Sequence, residues 1–240
     1  MGVNPGSHGI FKSSLPKPFE MKNISLWIKE IIDQTLGWLA VITLSPLFWL
    51  IAGLIRLETP GPAFFRQVRI GKDGRPFLAY KFRSMVDNAA SLGLRHNVAA
   101  NDPRITAVGQ FLRNTSLDEL PQLFNVIKGE MSPVGPRPTL AYQVAAYNEV
   151  QRRRLLVKPG ITGWAQINGR NAIPWEERLK LDVWYVDNWS LRLDFFILLR
   201  TIRTWVHREG LYAPSGVNYD FNPEGVTAEL ASKPDFTGAT

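Results

Sequence analysis

Twenty consecutive residues without a charge, LGWLAVITLSPLFWLIAGLI at 36–55, constrain this chain more than any other feature of its sequence. A helix of that length rises about 30 Å, the thickness of a bilayer's hydrocarbon core. It is not a cleavable signal, whose apolar core is shorter and is followed by small residues. Ser45-Pro46 interrupts it at the centre. Pro46 has no N–H for the carbonyl of Ile42 and its ring crowds that carbonyl, so a helix here should kink, with the Ser45 hydroxyl able to satisfy the freed oxygen. Two topologies remain: a kinked helix that spans, or a re-entrant helix-break-helix that dips into one leaflet and returns. Lys12, Lys17, Lys22 and Lys29 precede the segment and Arg56, Arg66, Arg69 and Lys72 follow it. Both flanks therefore prefer the same side, which favours re-entry.

The second informative segment is LDELPQLFNVIKGEMSPVGPRP at 117–138. It places adjacent acids, Asp118 and Glu119, at the start of an apolar, helix-like run. Ser116 and Glu119 have the spacing of a capping box, and Pro121 suits a first turn. Either register puts both acids at a helix N-terminus, where unpaired N–H groups and the peptide dipoles favour anions, including a phosphate. An ordinary capped helix would explain this much alone. Immediately downstream, Ser132-Pro133-Val134-Gly135-Pro136-Arg137-Pro138 is a stiff turn that aims an arginine fork, suited to planar oxyanions.

A similar loop, KPGITGWAQINGR at 158–170, ends in Arg170; KFRSM at 81–85 supplies Lys81 and Arg83, and Arg113 lies five residues before Asp118. Each cation alone reads as a solvated face, but together beside an acid pair they point to a polyanionic substrate. The formal charge of +7 favours anionic partners, with nucleic acid and anionic lipid both eligible. Zero cysteines exclude disulfides and thiolate sites. The three histidines form no cluster, so carboxylate and phosphate oxygens would suit a hard ion such as Mg²⁺ rather than zinc.

These three segments, in this order, resemble the monotopic phosphoglycosyl transferases of the bacterial sugar transferase family, in their minimal catalytic-domain form. The resemblance runs from about Ile24 to Leu211. It implies transfer of a sugar 1-phosphate from a UDP-sugar to polyprenol phosphate, usually undecaprenyl phosphate, with release of UMP. It implies a ping-pong scheme in which Asp118 carries the phosphosugar, and a Mg²⁺ ion bridging Asp118 and the phosphates. Glu119 would orient the metal or act as a base. Arg113, Arg137 and Arg170, then Lys81 and Arg83, would clamp phosphate; Asp182 is a second-tier acid or a structural ion pair. Trp164 and Tyr185 are candidates for stacking on uracil or sugar, though packing is the commoner role of such rings. Ser45 and Pro46 match the family's helix break. The implied location is the cytoplasmic face of the bacterial inner membrane, with phospholipid and the two substrates as partners, no nucleic acid, and room for a homodimer. Two rivals remain: a membrane-surface phosphohydrolase in which water resolves the intermediate, and a non-catalytic basic adaptor in which Asp118 only caps a helix.

The expected fold is α+β and predominantly helical. Residues 1–20 read as a leader arm, 21–58 as the anchor, 59–210 as the catalytic domain and 211–240 as a tail that packs loosely. Alternation at 63–70 and 77–82 around Gly71-Lys72-Asp73-Gly74 predicts a β-hairpin. Helices are expected at 106–113, 118–128, 140–157, 174–188 and 191–208. The last mixes Phe195, Phe196, Leu199, Ile202 and Trp205 with four arginines. It reads equally as a helix lying on anionic lipid or as a core helix with snorkelling arginines. Eight tryptophans favour the interface.

Overall fold

The computed structural model describes residues 23–87, 89, 98–99, 102–207 and 210–218. The expected leader and the tail beyond 218 lie outside the described residues.

The apolar segment forms one helix, α1 (Asn23–Glu58), with Pro46 inside it. Helical structure continues through the proline, so no non-helical residue separates two arms. The Ser45 hydroxyl donates to the Ile42 carbonyl at 2.8 Å, taking up the acceptor that proline leaves unpaired. One face of α1 buries Phe48, Ile51 and Ile55 against Phe82 and Leu112. Phe48 also packs edge-on to Phe124, with centroids 5.5 Å apart. Trp38, Leu39, Ile42, Trp49, Leu50, Leu54 and Leu57 remain exposed.

Both ends of α1 are fastened to the same globular body. Near its start, Lys29 bridges Asp194 at 2.7 Å and Asp33 at 3.3 Å. At its end, the Glu58 carboxylate accepts the free Ala107 and Val108 N–H groups of α2 (Ala107–Asn114). An anion at a helix N-terminus is favoured by those unpaired donors and by the dipole.

The hairpin is present: β1 (Phe64–Ile70) pairs antiparallel with β2 (Pro76–Phe82), from Phe64 opposite Phe82 to Ile70 opposite Pro76. Thr106 caps α2 by accepting from Gly109 N–H at 2.9 Å.

The expected helix at 118–128 differs. A 3₁₀ helix (Leu117–Gln122) precedes a short α3 (Leu123–Ile127), and the capping box does not form. Ser116 is left-handed, φ 54°, and makes no side-chain cap, because its hydroxyl faces Arg170 and the Glu119 carboxylate faces two cations. The expected helix at 140–157 is broken into α4 (Ala141–Ala145), α5 (Glu149–Arg152) and a 3₁₀ turn (Arg153–Leu156). Asn148 restarts it, accepting from Gln151 N–H while the Gln151 side chain accepts from Asn148 N–H.

The two Gly/Pro-rich loops meet. β4 (Ser132–Val134) and β5 (Gly160–Thr162) pair in parallel, and the backbones approach so closely that a Cβ on Gly160 would lie 2.1 Å from Gly135 N. Short α6 (Trp164–Ile167) leads to α7 (Trp175–Asn188) and α8 (Leu191–His207). On α8 the buried stripe is Asp194, Ile197, Thr201 and Thr204, whereas Phe195, Phe196, Leu199, Ile202, Trp205 and Val206 are exposed. The larger apolar side chains thus face outward, the reverse of a core helix.

Of the segment expected as a loosely packed tail, the described residues 211–218 include one short strand. β6 (Val217–Asn218) pairs antiparallel with β3 (Val98–Ala99), completing an α+β fold of helices around three two-stranded sheets among the described residues.

Candidate active site

The 3₁₀ helix sits against β2, and its two acids face the end of the hairpin. Around them opens a cavity of about 600 Å³ whose lining includes Lys81, Arg113, Asp118, Glu119, Arg137 and Arg170. Cations from four separate stretches of the chain thus converge on one pair of carboxylates.

The acids are not equivalent. Glu119 is buried, and both its oxygens are committed: Oε1 accepts from Lys81 Nζ at 2.7 Å and Arg137 Nη2 at 2.6 Å, and Oε2 from Arg137 Nη1 at 3.0 Å. Burial alone would raise its pKa, but the Arg137 and Lys81 charges prevail and hold it well below the usual carboxylate range. Asp118 makes no hydrogen bond or ion pair with any described residue. Burial pushes its carboxyl up, against the opposing pull of Lys81. The two neighbouring carboxyls are thus driven in opposite directions by their surroundings. One is a permanent counter-ion that sets two cations in place; the other has its lone pairs free.

Arg137 is held from both ends. Its fork grips Glu119, and its backbone carbonyl accepts from Arg154 Nη2 at 2.7 Å. Arg154 is anchored by Asp182, with Nε at 3.0 Å and Nη2 at 2.6 Å from Oδ2. Asp182 is therefore the ion-pair partner of a buried arginine, the structural alternative foreseen for it. Arg170 has φ 51° and directs Nη1 to the Ser116 hydroxyl at 3.3 Å. Arg113 carries a buried Nη1 with no partner among the described residues, a donor available to an anion in the cavity.

One cation among the candidates is already committed, and the two candidate rings take the packing role that is the commoner one for such side chains. Arg83 lines the cavity but spends its fork on Pro60 O at 2.6 Å and Thr59 O at 2.7 Å, tying the end of α1 to the hairpin. Tyr185 is buried and donates to Asp194 Oδ1 at 2.6 Å, so it is unavailable to stack on a substrate. Trp164 stacks on Trp184 at 4.7 Å and is not part of the cavity lining.

Arg178 escaped the sequence reading. It lines the cavity, lies over the Trp175 ring at 4.7 Å, and has its pKa lowered to about 10 by burial and then by Arg137. Its signal, an arginine one turn into a charged helix, is indistinguishable from a solvated face.

The bacterial sugar transferase family model matches residues 24–208. An uncharacterized sugar transferase of Bacillus subtilis, EpsL, is 48% identical over 184 residues, covering 77% of this chain and 90% of that protein. An undecaprenyl-phosphate galactose phosphotransferase of Salmonella typhimurium is 40% identical over 206 residues, covering 80% of this chain but 43% of its own length. A UDP-glucose:undecaprenyl-phosphate glucose-1-phosphate transferase of Escherichia coli K12 is 41% identical over 196 residues, 76% of this chain and 41% of its own. This chain thus spans nearly all of one relative and less than half of two others. With the family match reaching from the first turn of α1 to the end of α8 and taking in Lys81, Arg113, Asp118, Glu119, Arg137 and Arg170, the chain belongs to the bacterial sugar transferase family.

Proposed function

We propose that this chain transfers a sugar 1-phosphate from a UDP-sugar to polyprenol phosphate, undecaprenyl phosphate in a bacterium, at the cytoplasmic face of the inner membrane. The observation that carries this reading is the unshared carboxylate of Asp118, set among Lys81, Arg113, Arg137 and Arg170. Phosphoryl transfer to a carboxylate needs a nucleophile with free lone pairs, and cations that relieve repulsion between two anions. Asp118 attacks the β-phosphorus of the donor, and the bond from that phosphorus to the bridging oxygen breaks, its electron pair leaving on UMP. A phosphate oxygen of the lipid then attacks the same phosphorus and Asp118 departs as a carboxylate, yielding polyprenyl-diphosphate-sugar. Glu119, both oxygens engaged, serves as the counter-ion that positions Lys81 and Arg137 rather than as a base or metal ligand.

The residues fit a magnesium site of the kind completed by substrate. No group of three or more metal-ligating side chains occurs among the described residues, and Asp118 is the one uncommitted carboxylate of the pair. Mg²⁺ commonly takes one or two carboxylates together with substrate phosphates and water. Asp118 would be the protein group to hold it, and the ion would supply charge neutralisation to the donor phosphates.

Re-entry of α1 is supported by its two fastenings. A helix whose Lys29 and Glu58 both bond one globular body leaves the membrane on the side where it entered. The exposed apolar faces of α1 and α8 would lie in the lipid. The absence of cysteine makes the test clean: in Ser25→Cys and Asp73→Cys variants both thiols are expected to react with a membrane-impermeant maleimide only from the cytoplasmic side. Labelling of the two positions from opposite sides would establish a spanning helix.

The pH dependence follows from Asp118. The nucleophile acts ionised, and its pKa is raised, so kcat/KM is lost as pH falls through a limb above the ordinary aspartate value of about 3.9. Lys81 holds that pKa down, so Lys81→Met is expected to move the limb to higher pH. A limb that stays in place separates Lys81 from Asp118. The overall reading is tested by UMP release over a panel of UDP-sugars with undecaprenyl phosphate and Mg²⁺. UMP and lipid product are expected in equal amounts; free sugar phosphate in the absence of lipid would mark a hydrolase.

A further inference from the structure

The cavity has walls of two chemistries. On the hairpin side it is lined by Pro62, Phe64, Phe65 and Phe82, an apolar surface continuous with the end of α1. The other wall is built by the strap at 210–218 together with Asn171, Trp175 and Arg178. The first suits a prenyl chain entering from the membrane, and the second a polar, aromatic-bearing ligand.

The strap is held in one shape. Asn171 N–H donates to Gly210 O at 3.1 Å and its side-chain amide to Leu211 O at 2.8 Å. Asn218 closes the strap on itself, donating to Leu211 O at 2.9 Å and accepting from Ala213 N–H at 2.9 Å. Gly210, φ 64°, lies so near the Arg170 turn that a Cβ would meet Gly169 O at 2.4 Å, and only glycine permits both the contact and the conformation. The Asn171 and Asn218 amides are therefore engaged in shaping the wall. Tyr212 is different: half-buried, facing the cavity, its hydroxyl bonded to no described residue. Across the same wall lies Trp175 beneath the Arg178 guanidinium.

We infer that Tyr212 receives the planar base of the nucleotide donor, making 210–218 the nucleoside-binding wall of the site. This rests on the UDP-sugar reading above. An aromatic ring held by an ordered strap offers a flat face at small entropic cost, and stacking of a nucleobase on such a ring contributes on the order of tenfold or more in affinity. The polyprenol phosphate approaches along the other wall and is unaffected.

Calorimetric titration with UDP, together with KM values for UDP-sugar and undecaprenyl phosphate, tests this. Tyr212→Leu, which keeps apolar bulk but loses the aromatic face, is expected to weaken UDP binding about tenfold and raise the UDP-sugar KM equally. The kcat and the lipid KM should stay within about twofold, and Tyr212→Phe should resemble the parent. Unchanged UDP affinity overturns the inference, even if the UDP-sugar KM rises, since the ring would then contact the sugar. An equal rise in the lipid KM overturns it as well. Failure of the parent protein itself to bind UDP would remove the donor reading beneath it, an outcome distinct from a silent Tyr212 variant.

Discussion

Asp118→Asn is expected to reduce UMP release by at least about a thousandfold while leaving the thermal transition nearly unchanged. The amide occupies the same volume, and Asp118 forms no ion pair or hydrogen bond with any described residue whose loss would cost stability. It retains the shape of the site and the cations, but has no anionic oxygen to attack phosphorus. The neighbouring Glu119 cannot substitute, because its oxygens are taken up by Lys81 and Arg137. Removing a carboxylate whose pKa is raised by burial is, for stability, neutral or mildly favourable near pH 7. Loss of activity accompanied by a comparable loss of fold would assign Asp118 a structural role instead.

The largest effect on stability is expected at a different acid. Asp182→Leu leaves the Arg154 guanidinium, 3% exposed, with its charge uncompensated in the interior. Breaking one half of such a pair costs about 3–5 kcal/mol, which for a chain of this size lowers the melting temperature by on the order of 10 °C. The double variant Arg154→Met/Asp182→Leu should recover much of that loss, since no charge then remains buried. Activity should not return with it, because Arg154 also donates to the Arg137 carbonyl and to Thr139 Oγ1 at 3.0 Å. Calorimetry and UMP release on the two variants, each compared with the parent, separate the two roles. A fully active double variant would show that Arg137 holds its place without this support.

Much of the local structure was legible in the sequence, and the reasons differ by element. The hairpin announced itself by alternation around a Gly-Lys-Asp-Gly turn, and α7 and α8 by apolar spacing with Pro174 ahead of the former. The Ser45-Pro46 pair was readable to the level of one hydrogen bond, since a proline frees a particular carbonyl and a serine one residue earlier can reach it. Position 116 was misread because a capping box is a local pattern, and here tertiary partners outbid it: Arg170 takes the serine, and Lys81 and Arg137 take the glutamate. The pairing of β4 with β5 had no local signature at all, being three residues on each side joined across the chain. The same holds for the strap at 210–218, whose order comes from Asn171 and β3 and not from any periodicity of its own. Of the candidate site residues, those in the acid and arginine motifs came together. Arg83 joined them in the cavity wall with its fork already spent on Thr59 and Pro60, and Trp164 and Tyr185 lie outside that wall, because a motif does not reveal which cation or ring is already used in packing.

The central claim is a covalent one and is most directly tested by intact-mass spectrometry of rapidly quenched enzyme, mixed with UDP-sugar in the absence of lipid. The account predicts a phosphosugar adduct that maps to the peptide containing Asp118 and vanishes when undecaprenyl phosphate is added. Steady turnover with no adduct at any time point, or an adduct that persists in Asp118→Asn, would contradict it.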